Sequence, residues 1–107
     1  MTVPKFTPSL DPSNYIFHED AGHGWLEVPL EALRTLSIGK KISPYSYVHG
    51  DKAYLEEDRD APIFMKAWNI YQATRGVELL YRNSEFKTVY DGRESPIRNY
   101  RRYEPGN

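Results

Sequence analysis

Cysteine is absent from this 107-residue chain, and its absence excludes disulfide bridges and thiolate metal sites. No apolar run comes near the roughly 20 residues that a membrane-spanning helix requires. The N-terminal residues contain neither a basic region nor an apolar stretch, so no secretory signal is predicted. Together these features predict a cytoplasmic protein with no membrane partner.

The chain also lacks a large excess of either charge, because it has 14 basic and 15 acidic residues and a net charge of −1. Such a chain has no overall field to attract nucleic acid or an anionic membrane, and it lacks the strongly acidic surface of a DNA mimic. The motifs GxxxxGK[ST], GxGxxG and GxSxG are missing. P-loop, Rossmann and α/β-hydrolase functions therefore have no support.

Aromatic residues, in contrast, are plentiful: they make up 14% of the chain and include nine tyrosines. Disordered chains are poor in such residues, so the composition predicts a folded protein. We expect residues 1–13, which hold three prolines, to form an extended arm and residues 14–107 to form one domain. Tyrosine suits both a core and a binding surface.

Short aromatic and β-branched runs between glycine-containing turns predict a mainly antiparallel sheet in an α+β fold. Strands are expected in three pairs: at 14–18 and 24–28, at 45–48 and 52–56, and at 77–81 and 86–90. Residues 93–107 follow as a basic and aromatic tail. If all strands share one sheet, the helices cover one face, and the other face needs a partner or a second copy of the chain.

Two helices are expected between these pairs. Pro29 suits the first turn of the first helix, and Gly39 suits its C-terminal cap. Asp58 or Asp60 is expected to cap the second helix, which should run to about Thr74. Gly76 would close it. Its apolar stripe has helical spacing and consists of Ala61, Phe64, Met65, Trp68 and Tyr71.

The highest density of side chains suited to binding or catalysis is in the segment IFHEDAGHGWLEVP at 16–29. A second polar run, YLEED, follows at 54–58. These segments, with Tyr45 and Tyr47 between them and further similarity at 95–100, resemble a group of small uncharacterised accessory proteins of phages, plasmids and bacteria. The resemblance covers nearly the whole chain after the arm. It implies a mobile-element protein that acts on host or defence machinery, and it transfers no catalytic residue.

A metal site is one hypothesis for the first segment, because His18, Glu19, Asp20 and His23 are nitrogen and oxygen ligands suited to zinc, manganese or iron. His49 could add a further ligand. However, four residues separate His18 from His23, whereas the HExxH motif has three, and a glycine between them disfavours one continuous helix. We therefore expect a polar turn with neither metal nor cofactor.

Carboxylate acid–base chemistry is a second hypothesis, which requires two carboxylates held across a cleft with divergent pKa values. The sequence shows clustering only. For Asp58 and Asp60, helix capping is the better interpretation. The candidate carboxylates are Glu19, Asp20, Glu56, Glu57 and Asp58.

Nucleic-acid binding is a third hypothesis, because arginines alternate with aromatic residues in the tail and could contact phosphates beside stacked bases. Acidic residues dilute this patch. A terminal strand packed by its tyrosines, with its arginines paired to acidic loops, explains the same residues. The candidate phosphate contacts are Arg93, Arg98, Arg101 and Arg102.

Protein binding is the interpretation that we favour, because interface hot spots are rich in tryptophan, tyrosine and arginine. We expect a small non-enzymatic binding protein, an inhibitor of a host or defence protein, which could also form a homodimer. The alternative is a small metal- or nucleotide-dependent enzyme that uses His18, His23 and carboxylates, or a weak nucleic-acid binder. The expected partner-binding residues are His18, Glu19, Asp20, His23, Trp25, Tyr45, Tyr47, Glu56, Glu57 and Asp58.

Overall fold

A computed structural model describes residues 15–74 and 86–104. These residues form a small α+β domain with a mostly antiparallel sheet and two α-helices. The predicted arm, the predicted strand at 77–81 and the expected closing residue Gly76 lie outside the described ranges. No helix in the described ranges is long and apolar enough to cross a membrane.

The sheet contains six strands within the described ranges, in the spatial order β5-β1-β2-β4-β3-β6. All neighbours pair antiparallel except β1 and β5, which are parallel. The two predicted hairpins are confirmed as β1–β2 and β3–β4. The strands are β1 Ile16–Glu19, β2 Gly24–Pro29, β3 Tyr47–His49, β4 Lys52–Glu56, β5 Lys87–Tyr90 and β6 Arg101–Arg102.

The first helix, α1, spans Leu30–Thr35 and is shorter than the sequence predicts. Pro29 ends β2 and is the N-cap residue, with an extended backbone conformation. The helix stops before Gly39, because Ser37 takes up the left-handed conformation at φ 58° and its N–H binds the carbonyl of Arg34. Gly39 instead begins a 3-10 turn, Gly39–Lys41.

The second helix, α2, spans Asp60–Thr74 and confirms the predicted apolar stripe. Four of the five stripe residues are buried, and Met65 packs against the same cluster. Asp60 lies in the first turn of α2, where a carboxylate is favoured by the helix dipole. Its buried carboxylate accepts hydrogen bonds from Ser43 and Ser46, so it tethers a loop and lies inside the helix rather than at the expected cap position.

The main core lies between the two α-helices and one face of the sheet. Leu26, Val28 and Leu55 point into it from the central strands, and Phe64 meets them from α2. Because side chains alternate along a strand, Trp25 and the neighbouring aromatic residues point to the opposite face.

That opposite face is partly covered by the chain itself. After β5 the chain forms a 3-10 turn, Pro96–Asn99, whose Ile97 is buried against Trp25 and Tyr54. Tyr100 packs on the same cluster. The expectation that this face waits for a partner is therefore wrong for its centre, where the C-terminal segment supplies the cover.

Candidate functional site

The C-terminal segment is held on the sheet by Asp20, which lies in the turn between β1 and β2. The Asp20 side chain is fully buried and pairs with Arg98 through two hydrogen bonds of 2.6 and 2.9 Å. It also accepts backbone N–H groups from Gly22, His23 and Ser95. The Arg98 guanidinium and these donors hold the pKa of Asp20 well below its usual range. Asp20 therefore holds the C-terminal segment on the sheet. It is buried, although the sequence predicts it as part of the partner-binding surface.

A cleft of about 510 Å³ opens beside this anchor, within the size range of ligand pockets in proteins. We call it the arginine–aromatic cleft. It combines aromatic rings, arginines, a histidine and two carboxylates. Its lining residues are His23, Trp25, Tyr45, Tyr47, Glu56, Asp58, Arg59, Arg98 and Arg102.

Three guanidinium groups lie over three aromatic rings in this cleft. Arg98 lies 5.4 Å from the centroid of Trp25. Arg102 and Arg59 each lie 5.3 Å from a ring centroid, over Tyr47 and Tyr45 respectively. Such cation–π contacts restrict long side chains that would otherwise move freely. Arg98 and Arg102 are further held by hydrogen bonds to Asp20 and to the carbonyl of Pro44, whereas Arg59 is exposed and has the ring contact alone.

The position of Tyr45 depends on the buried carboxylate of Asp60. Ser43 and Ser46 donate their hydroxyls to this carboxylate, which fastens the loop before β3 to the start of α2. The backbone N–H of Tyr45 in turn binds the Ser43 hydroxyl. This tether brings Tyr45 beside Arg59, which immediately precedes α2.

The carboxylates of the cleft differ in their partners. Glu56 accepts backbone N–H groups from Asp58 and Arg59, so it stabilises the turn that leads into α2. Asp58 is exposed. Beside the cleft, burial and the neighbouring charges of Asp58 and Glu56 raise the pKa of Glu57.

His18 lies on the same sheet face but outside the cleft. Its Nε2–H donates to Glu27 at 2.8 Å, and its Nδ1 lies 3.8 Å from a carboxylate oxygen of Asp91. Its ring also contacts that of Tyr54. Burial, reinforced by the negative charge of Glu27, raises the pKa of Tyr54 to about 12. This cluster joins β1, β2 and β4 and has the character of a structural network.

The structure thus brings together six of the ten predicted partner-binding residues in one cleft, with two of the predicted arginines. Trp25 forms its floor and is only 2% exposed, whereas Tyr45 is 58% exposed. The predicted residues outside the lining are His18, Glu19, Asp20, Glu57, Arg93 and Arg101.

Arg59 is the lining residue that the sequence analysis missed. It stands between two aspartates that were interpreted as helix caps, and nothing in its neighbours along the chain points to Tyr45. The contact arises from the long-range tether of Asp60. A sequence pattern carries no signal for it.

Residues 15–74 and 86–104 contain no arrangement of side chains that matches the metal hypothesis. No three histidine, aspartate or glutamate side chains there are placed to hold a metal ion. His18 is bound to Glu27, and Asp20 is occupied by five donors.

Comparison of the chain with models of protein families, with curated proteins and with solved structures finds no match. The geometry of the cleft is therefore the basis for inferring a function.

Proposed function

We propose that this chain is a small non-enzymatic binding protein that captures a protein partner in the arginine–aromatic cleft. The observation that carries the proposal is the set of three arginines stacked on three aromatic rings around one cleft. Tryptophan, tyrosine and arginine are the residues that most often dominate the binding energy of protein interfaces.

Preorganisation supports the same proposal. An interface loses affinity when flexible side chains must be ordered on binding. Here Arg98 is fixed by Asp20, and Arg102 donates to the carbonyl of Pro44 at 3.0 Å in addition to its contact with Tyr47. Binding would order few additional groups.

The resemblance to accessory proteins of phages and plasmids extends the proposal to the identity of the partner. It makes the partner a host or defence protein in the cytoplasm, which this protein would inhibit by occupying a functional surface. The metal-dependent form of the enzyme alternative, which would use His18, His23 and carboxylates, has no matching group of ligands among the described residues.

Two tyrosines of similar exposure provide a matched test. Tyr45 lies in the cleft and is 58% exposed, whereas Tyr90 lies on β5 outside its lining and is 63% exposed. The experiment is affinity capture from host lysate, with and without nuclease treatment, with the wild type, Tyr45→Ala and Tyr90→Ala. We expect a stoichiometric protein that is retained by Tyr90→Ala and lost with Tyr45→Ala.

Two results would overturn the proposal. Equal capture by both variants would mean that the cleft is not the binding surface. Loss of all captured protein on nuclease treatment would mean that nucleic acid carries the interaction. Circular dichroism of each variant shows whether it is folded.

A further inference from the structure

Two of the three cleft arginines have no carboxylate partner within the described parts of the chain. The salt bridges formed there include Arg98 but neither Arg59 nor Arg102. Arg102 donates one N–H to a backbone carbonyl. Arg59 has the ring of Tyr45 as its side-chain contact.

Within the described residues, the acidic residues of the cleft form no direct salt bridge with these two arginines. Glu56 directs one carboxylate oxygen to the backbone N–H groups of the following turn. Asp58 is exposed and forms no salt bridge with either arginine within the described residues. Two positioned guanidinium groups thus offer donors to an incoming anionic group, a geometry that suits bidentate binding of a carboxylate.

The neighbouring groups decide which anionic polymer fits. Stacking of bare nucleobases requires open ring faces, but Trp25 is buried, and one face of Tyr45 and one face of Tyr47 already have a guanidinium over them. Asp58 and Glu56 repel every anionic group, and this repulsion is greater for a phosphate backbone, which carries a charge at each nucleotide, than for a peptide whose acidic residues are separated by neutral ones. A peptide can place one or two acidic side chains against Arg59 and Arg102 and keep neutral residues beside Asp58 and Glu56.

We infer that the arginine–aromatic cleft binds a peptide segment whose acidic side chains pair with Arg59 and Arg102. The inference depends on the proposed function, since it specifies the chemistry of the partner segment. Tyr45 and Tyr47 lie beside the two arginines and provide the apolar contact for the rest of the segment.

The test is to select binders of the full chain from a displayed library of random 12-residue peptides. The selected peptides are then synthesised, and their affinities are measured. We expect enrichment of aspartate and glutamate. Arg59→Gln and Arg102→Gln should each weaken binding about tenfold, since each removes a charge-assisted interaction. Arg101→Gln is the matched control, because Arg101 is exposed, adjacent in sequence and outside the lining.

The outcomes separate this inference from the proposed function. Selected peptides that depend on Tyr45 but carry no excess of acidic residues would overturn the inference and leave protein binding intact. If no selected peptide loses affinity with Tyr45→Ala, both fail. Tighter binding of a 12-nucleotide oligo(dT) that is lost with Arg59→Gln would replace both with nucleic-acid binding.

Discussion

The guanidinium of Arg98 donates two hydrogen bonds to the carboxylate of Asp20, although 78 residues separate them in the sequence. The same guanidinium lies over the ring of Trp25. One ion pair thus attaches the C-terminal segment to the β1–β2 turn and also forms one wall of the cleft. The stability of the fold and the shape of the site depend on a common contact.

Replacement of Asp20 by asparagine should therefore destabilise the protein. The variant keeps the size of the side chain but removes the charge that accepts hydrogen bonds from Arg98 and from three backbone N–H groups. Because Arg98 is partly exposed, we expect a cost of about 1–3 kcal/mol. The check is urea unfolding followed by tryptophan fluorescence. Asp51→Asn, in the exposed turn between β3 and β4, is the control and should stay close to the wild type. Equal stability of the two variants would contradict the role of Asp20.

Acid should reduce the contribution of Asp20 to the free energy of unfolding. In the folded state the pKa of Asp20 lies below its ordinary value of 3.8. At a pH between the folded and unfolded pKa values, the unfolded chain therefore binds a proton that the folded chain does not. The contribution is complete above the unfolded pKa and declines as the pH falls below about 3.8 towards the folded pKa.

The measurement is the free energy of unfolding of the wild type and of Asp20→Asn from pH 6 to pH 2. We expect the difference between them to be constant above about pH 5 and to shrink at lower pH. Glu57, whose pKa is raised, contributes with the opposite sign, but it does so in both proteins and cancels. A difference that stays constant down to pH 2 would be inconsistent with a depressed pKa.

Local patterns predicted most of the fold. The stripe of α2 follows from helical spacing, and the two hairpins follow from strand-like runs around glycine-containing turns. Each of these signals lies within a few residues. The parallel pairing of β1 with β5 joins distant segments, and no local pattern encodes it.

The candidate site could be predicted only in part for the same reason. The sequence identified Trp25 and Tyr47 as chemically notable, yet it could not show that Trp25 is buried under Arg98. Asp20 looked like a surface carboxylate because its partner lies near the other end of the chain. Arg59 was missed because its contact depends on the loop fastened by Asp60.

Gly24 should not tolerate a side chain. A Cβ atom at this position would lie 2.4 Å from Cζ of the buried Phe17 ring, while the backbone itself is not left-handed. Gly24→Ala should therefore cost about 1–3 kcal/mol through overpacking. The test is a double-mutant cycle with Phe17→Leu, whose shorter side chain relieves the clash. A coupling energy near zero would mean that the ring is not the obstacle.

Ser37 offers a stabilising change. It ends α1 in the left-handed conformation at φ 58°, where a Cβ atom is unfavourable. Ser37→Gly removes this strain and should raise the free energy of unfolding by about 0.5–1 kcal/mol. The thermal midpoint is the measurement. Ser37→Ala serves as the control, since it keeps the Cβ atom and should bring no gain.

Trp25 and Tyr45 should separate folding from binding. Trp25 is 2% exposed and packs with Tyr54 and Ile97, so Trp25→Ala should cost about 3–5 kcal/mol through lost contacts and a cavity. Tyr45 is 58% exposed, and Tyr45→Ala should change stability by about 0.5 kcal/mol or less. Thermal unfolding of both variants is the check. If Tyr45→Ala proved as destabilising as Trp25→Ala, Tyr45 would belong to the core, and loss of binding in that variant would report unfolding rather than a lost contact with the partner.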